Sequence, residues 1–415
     1  MNNLYAFILG RKHLLSVAEL CSVLGSSTHI VDITQEALVA ALPEPLTKPV
    51  EFLNRLGGTI KIVKIFNEGI PLERVAPAFS EYLLKEFTDV DQKMLYGLST
   101  YSFARQDDGI IRKTLNLIKK DLQAADRKSR FINKNFQNLE SAAIKGEKLL
   151  QKGKEIVLIN GKNKTFLGDT VAIQDFEGYS HRDYDRPARD PKLGMLPPKL
   201  AQIMINLTGK NSLTHLSNPT ENLYDPFVGI GTVLTEGLLL GFSLLGSDIS
   251  DEVLKKTKIN VDWLRNNNFN PAQKLHLFNK DATKLTTKEV NVPVHLVVTE
   301  TFLGPPVSKL PAPEFRGHTF AQIKNMLTGF FQALQPILKP GTPVVISVLS
   351  YKDRQMYYQI PNLAANILSA GYEQVPLIPR AIAAKFGVGM SSDGTLIYDR
   401  PDQIVARQIY HFVRK

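Results

Sequence analysis

A chain of 415 residues is long enough for two or three domains with sizeable cores. Its net charge of +10 and pI near 9.3 favour a polyanionic partner, without separating RNA from DNA or an acidic protein. A single cysteine, Cys21, excludes an internal disulfide or a Cys-based zinc site, and no run of eighteen apolar residues marks a transmembrane helix.

The opening residues, 1–11, are too short and wrongly flanked for a signal peptide and read as a strand, so a soluble cytoplasmic protein with no membrane partner is expected. Residues 1–80 then read as a small α+β domain of ferredoxin-like type. It has strands at 5–9, 29–32 and 59–66, helices at 16–24 and 49–56, and a polar, proline-bearing loop between. A linker-like stretch at 67–71 separates it from a second α+β module at 81–178. That module has a strand at 95–101, a helix at 110–122 with Ile111, Leu115, Ile118 and Leu122 on one face, and strands at 156–159 and 166–173.

Eight basic residues crowd this module: Arg112, Lys113, Lys119, Lys120, Arg127, Lys128, Arg130 and Lys134, against Asp121 and Asp126. The run reads either as a solvated face or as a phosphate-binding surface, with Phe131 and Phe136 offering stacking area for RNA. Residues 179–200 form a linker rich in Arg and Asp. There Arg182, Arg186 and Arg189 either tie two domains together or touch a substrate backbone, with interdomain packing favoured. Pro197 and Pro198 start a helix carrying Leu200, Met204 and Leu207 on one face.

The most informative segment is 223–248. A short apolar strand ends at Asp225, a glycine turn follows (Gly229-Ile230-Gly231-Thr232), then an apolar helix, then a strand ending at Asp248. In open parallel sheets the ligand sits beyond the carboxyl ends of the strands, and an acid on the second strand takes a ribose hydroxyl. A third glycine is missing, because Leu234 stands in its place, and Asp225 would repel a pyrophosphate. A carboxylate there suits a cationic ligand end, such as the amino group of S-adenosylmethionine (SAM). A helix at 252–264 follows, then a strand at 275–279 leading to Asp281-Ala282, where an acid reaches an adenine amine. The next strand, 295–299, runs into Glu300-Thr301-Phe302-Leu303. A helix at 320–338, a strand at 342–349, a helix at 357–370 and strands at 372–377 and 404–413 complete an α/β, doubly wound Rossmann-like sheet over 201–415. The eight histidines show no metal-ligand spacing, and neither a Ser-His-Asp nor a phosphate-loop signature occurs, so no metal is expected.

The turn at 225–232 resembles the SAM-binding motif of class I methyltransferases. The stretch 179–190, followed by Met195-Leu196-Pro197-Pro198-Lys199-Leu200-Ala201, is similar to the segment joining a THUMP domain to its methyltransferase domain in the tRNA guanine-10 N2-methyltransferase family. The resemblance covers 179–415 strongly and 1–175 more loosely. It implies that 81–178 is a THUMP-like RNA-binding domain, and that the chain methylates the exocyclic N2 of a tRNA guanine with SAM as cofactor. An activator subunit is left open. The implied cofactor site is Asp225, Pro226, Phe227, Gly229, Gly231, Thr232, Asp248, Ile249, Asp281 and Ala282, and the implied catalytic residues are Glu300, Thr301 and Phe302. Where the family carries Asp-Pro-Pro-Tyr, Glu300 stands at the acid and Phe302 at the aromatic position. This departure keeps two alternatives in view: methylation of another RNA or DNA amino group, and a non-catalytic RNA-binding protein on a degenerate methyltransferase fold.

Overall fold

The computed structural model describes every residue except 1–2, 90, 92, 105–108, 190–194, 212–219 and 267–272, so Asp190 of the linker stretch lies outside the described residues. The chain forms two compact units: Met1–His13 with Ser26–Phe176, and Leu14–Gly25 with Glu177–Lys415.

The elements of the front half are β1 (Leu4–Leu9), α1 (His13–Leu24), β2 (His29–Ile33), β3 (Ala37–Ala41), α2 (Pro49–Leu53), β4 (Thr59–Glu68), α3 (Leu72–Glu86), β5 (Met94–Tyr101), α4 (Ile110–Ala124), β6 (Ser129–Phe131), α5 (Ser141–Gly146), α6 (Leu149–Lys152), β7 (Gly153–Asn160) and β8 (Thr165–Ile173). All eight strands join one sheet in the order β2-β3-β1-β4-β8-β7-β5-β6. Where separate ferredoxin-like and THUMP-like modules are expected, no distinct module of either kind stands apart among the described residues. β4 pairs antiparallel with β8 from Lys61 opposite Ile173 to Glu68 opposite Phe166, so Asn67 and Glu68 of the supposed linker are ladder residues. α4 forms where the apolar period placed it, with Ile111, Leu115, Ile118 and Leu122 buried against Val75, Phe79 and Leu83 of α3. α1 belongs to the second unit, where Glu19 accepts a hydrogen bond from Asn206 at 2.7 Å and Ser22 donates to the Asn206 carbonyl at 2.8 Å.

The second unit continues with α7 (Phe176–Tyr184), α8 (Pro198–Leu207), β9 (Asn222–Asp225), α9 (Thr232–Leu239), β10 (Ser243–Asp248), α10 (Asp251–Arg265), β11 (Leu275–Asn279), a turn of 3-10 helix (Ala282–Lys284), β12 (Leu296–Glu300), α11 (Pro313–Leu334), β13 (Pro343–Asp353), β14 (Met356–Tyr358), α12 (Leu363–Ser369), β15 (Tyr372–Val375), α13 (Arg380–Phe386), β16 (Leu396–Tyr398) and β17 (Val405–Arg414). The sheet order is β11-β10-β9-β12-β13-β17-β15, with β14 on β13 and β16 on β17. Strands β11 to β13 are parallel, whereas β17 lies antiparallel between β13 and β15. The expected doubly wound sheet is therefore parallel over five strands only. The strand order reverses at β9, which opens a crevice at the tips of β9 and β12. One face is held by aromatic packing: Phe331 meets Tyr372 and Phe412 edge-on at 4.9 and 5.5 Å. The helix expected at 357–370 is shorter, because residues 356–358 pair with β13 as a strand.

Candidate functional site

The site is assembled by short turns at the strand tips. After β9 the chain turns through Gly229 (φ +51°) and Gly231 (φ +87°), conformations that L-residues rarely adopt. A Cβ on Gly231 would stand 2.8 Å from the Thr257 methyl, so that glycine lets the turn close on α10. A Cβ on Gly229 would meet nothing nearer than 4.0 Å, so that backbone is open to approach. The turn is pinned from several sides. Thr257 donates to the Gly229 carbonyl at 2.5 Å, Asn260 donates to the Ile230 carbonyl at 2.8 Å, and the Gly229 N–H donates to Asp248 at 3.2 Å.

Two arginines of the former linker complete this frame. Arg182 grips the fully buried Glu236 of α9 through two hydrogen bonds at 2.8 and 3.3 Å, and Arg186 donates to Thr232 at 2.8 Å. Arg189 lies over the Tyr184 ring. Arg182 and Arg186 thus fasten α9 within the second unit.

The tips open into a cavity of about 720 Å³. Its walls bring together Asp225, Pro226, Phe227, Gly229, Thr232, Asp248, Ile249, Asp281, Ala282, Glu300, Thr301 and Phe302. Of the residues expected at the site in this unit, Gly231 alone does not line the cavity; it turns toward α10. A second cavity of about 730 Å³, near Arg316, Tyr358 and Tyr410, lies away from these strand tips. Ligands of open α/β sheets sit beyond the carboxyl ends of the strands, which favours the first cavity as the site.

Asp225 is 1% exposed. Its Oδ1 accepts from the Thr299 hydroxyl at 2.6 Å and from the Phe227 N–H at 3.2 Å. Burial pushes its carboxyl up to about 7, against those two hydrogen bonds, and the charges of Asp248 and Glu300 push the same way. Asp248 also accepts from the Ser250 N–H at 3.1 Å. Asp281 caps the 3-10 turn, accepting from the Thr283 N–H and hydroxyl at 2.9 and 2.8 Å, and these bonds hold its carboxyl below the usual range. Ile249 is 70% exposed and Phe302 50% exposed, leaving two apolar surfaces at the cavity edge.

Two assignments change. Thr301 is buried at the cavity wall, and its N–H and hydroxyl both donate to the Ser347 carbonyl, at 2.9 and 3.1 Å, so it fastens the loop after β12. Glu300 does line the cavity, but its Oε1 accepts from Arg407 Nε at 2.5 Å. Arg407 was not expected; β17 also carries Gln408, His411 and Arg414, so nothing in its pattern singles Arg407 out. Thr299 was also missed, since a threonine one place before the strand tip has no distinguishing pattern.

In the first unit, α4 carries Arg112, Lys113, Lys119 and Lys120 on its exposed face, and Lys128 and Lys134 are exposed beyond it. Arg127 has a structural task that removes it from a phosphate-binding set: it donates to the carbonyls of Phe87 and Asp89, both at 2.7 Å. Arg130 pairs with Glu147 at 2.7 Å. Phe131 and Phe136 pack on the core beside Tyr96 rather than standing free, and Arg112 lies over Phe136 at 5.2 Å. Among the described residues no cluster of three or more His, Cys, Asp or Glu is placed to hold a metal ion, and no helix is long and apolar enough to cross a membrane.

No family model matches the chain. Over 135 residues, 31% of this chain and 37% of the other, it is 29% identical to the tRNA (guanine(10)-N2)-dimethyltransferase of Pyrococcus abyssi. Over 106 residues, 25% of this chain and 28% of the other, it is 32% identical to the tRNA (guanine(10)-N2)-dimethyltransferase of Methanothermobacter thermautotrophicus. The matches thus span about a third of these relatives. The crystal structure of TrmN from Thermus thermophilus superposes over 99% of both chains with a TM-score of 0.51 at 13% identity, a likeness of fold. The chain has a Rossmann-like methyltransferase fold.

Proposed function

We propose that the second unit binds SAM at the tips of β9 to β12 and transfers its methyl group to the exocyclic amine of an RNA base, with N2 of a tRNA guanine as the acceptor. The observation that carries this reading is the convergence of Asp225, Asp248 and Glu300 on one cavity beneath an open glycine turn. The carboxylates lining this cavity, Asp225, Asp248, Asp281, Glu300 and Asp402, outnumber its cations, Lys280 and Arg407, which suits a cationic ligand bearing hydroxyls, the chemistry of SAM. The partial similarity to two archaeal guanine-N2 enzymes supports the choice of base.

Asp225 would hold the cationic amino group, Asp248 the ribose hydroxyls, and Asp281 the adenine amine, with Ile249 and Ala282 against the adenine faces. When bound, SAM supplies a methyl group already activated by its sulfonium. The chain's own contribution is alignment and hydrogen-bond acceptance. A guanine N2 lone pair is delocalised into the ring, and positive charge grows on the nitrogen as the new bond forms. Glu300 accepts one amine N–H and stabilises that charge. It also stands as the first acceptor for the proton released. Phe302, half exposed at the mouth, stacks on the base, which offsets part of the few kcal/mol that extrusion from a stem costs. The exposed α4 lysines of the first unit would neutralise backbone phosphates.

Incubation of the full chain with methyl-labelled SAM and an unmodified tRNA transcript, followed by digestion to nucleosides, tests the reading. Label in N2-methylguanosine or its dimethyl form is expected. Label in a methylated adenosine would favour the other amino-group reading, and an unlabelled tRNA would overturn the tRNA reading.

A further inference from the structure

We infer that Arg407 is a positioning residue that braces Glu300 for the acceptor amine; the inference rests on the reading of Glu300 just given. Glutamate has three rotatable side-chain bonds, and fixing such a side chain costs roughly 1.5–2 kcal/mol of rotamer entropy. A hydrogen-bond acceptor that must meet a specific N–H works best when that ordering is complete before the acceptor arrives. Glu300 has a brace of this kind. Arg407 projects from β17, two strands away, across β13: Glu300 pairs with Ser347, and Arg407 pairs with Leu349.

The Arg407 side chain is 5% exposed and its Nε–H meets Oε1 of Glu300 at 2.5 Å, while the Glu300 side chain remains 16% exposed. Among the described residues this is the one hydrogen bond to the Glu300 carboxylate. One oxygen is therefore anchored from the sheet, and the other is left for a donor arriving through the cavity that both residues line. A carboxylate held in this way accepts hydrogen bonds and offers none. It matches an amine next to a ring N–H better than an amine next to a ring acceptor nitrogen, because the latter needs a donor in return.

The pairing is read first without turnover. In an ¹⁵N–¹H spectrum of the full chain, the Arg407 Nε–H, assigned by its loss in Arg407→Lys, is expected to be protected from solvent exchange and to lose protection in Glu300→Gln. An unprotected Nε–H in the wild-type chain overturns the brace whatever the substrate proves to be. The second test is a double-mutant cycle on methyl transfer to an unmodified tRNA transcript.

Arg407→Gln is expected to lower kcat by about 10- to 100-fold with little change in KM. Arg407→Lys should recover part of the loss, and affinity for S-adenosylhomocysteine by calorimetry should stay within about threefold. Glu300→Gln/Arg407→Gln should be no slower than Glu300→Gln alone. Multiplicative losses in the double variant, or a fall in S-adenosylhomocysteine affinity matching the fall in kcat, would show that Arg407 acts independently of Glu300. A wild-type chain that methylates no tRNA would sink the acceptor reading instead, leaving the brace to the exchange result.

Discussion

Each unit sets a glutamate beside a buried cation, and the two pairs are completed differently. In the first unit, Lys61 and Glu155 meet at 2.6 Å with side chains 2% and 0% exposed. Burial alone would lower the lysine's pKa, but the charge of Glu155 overrides it and the net direction is up. Every remaining demand is met inside the protein: Ser99 and Thr170 donate to Glu155 at 2.6 and 2.5 Å, and Lys61 donates to the Leu139 carbonyl at 2.8 Å. In the second unit, among the described residues, Glu300 has one partner and an opening, and the fully buried Asp225 has hydrogen bonds but no paired cation. A buried charge satisfied from within holds a fold together, whereas one left short of partners at a strand tip marks where a ligand completes the set.

The contrast can be broken most forcefully at Lys61. Lys61→Met would strand Glu155 in the sheet and is expected to cost about 3–5 kcal/mol, seen as a lowered denaturant midpoint. An unchanged midpoint would remove the structural half of the comparison. Asp225→Asn should behave oppositely. It should leave the midpoint unchanged or raised, while affinity for SAM falls by about 10- to 100-fold in calorimetry, the worth of a charge-assisted hydrogen bond.

The pH dependence sharpens the same point. Asp225 titrates near 7 when folded, against 3.8 for a free carboxyl. Between those values the folded chain keeps a proton that the unfolded chain has released, so Asp225 subtracts from stability increasingly as pH rises from about 4 to 7. A cationic ligand must displace that proton. SAM affinity should therefore fall by up to about tenfold per unit below pH 7 and level off above it, with Asp225→Asn flat throughout. The smallest effect concerns the first unit's surface. Lys119→Gln/Lys120→Gln should weaken tRNA binding and make its log–log salt dependence shallower by about one per lysine, with S-adenosylhomocysteine affinity unaltered.

Legibility followed the range of the interactions involved. The turn from Asp225 to Asp248 is local: strand, glycines, helix and strand lie within one βαβ unit, and each residue carries its own conformational signal. Glu300 could be placed because it ends a strand of the same sheet. Arg407 could not be tied to it, because they are 107 residues apart and only the insertion of β17 beside β13 joins them. The single sheet of the first unit was hidden for the same reason. Pairing of β4 with β8 spans a hundred residues, and no composition shift announces it. β3, Ala-Leu-Val-Ala-Ala, has little intrinsic strand preference and is made a strand by β1 and β2 on either side. α3 carries Val75, Phe79 and Leu83 at helical spacing, but Pro77 interrupts the pattern.

The most direct measurement is a crystal structure of the full chain with S-adenosylhomocysteine. The ligand is expected at the tips of β9 to β12, with its amino group on Asp225 and its ribose on Asp248. Density instead beside Arg316 and Tyr358, or a β9–β12 crevice that stays empty at saturating ligand, would contradict it.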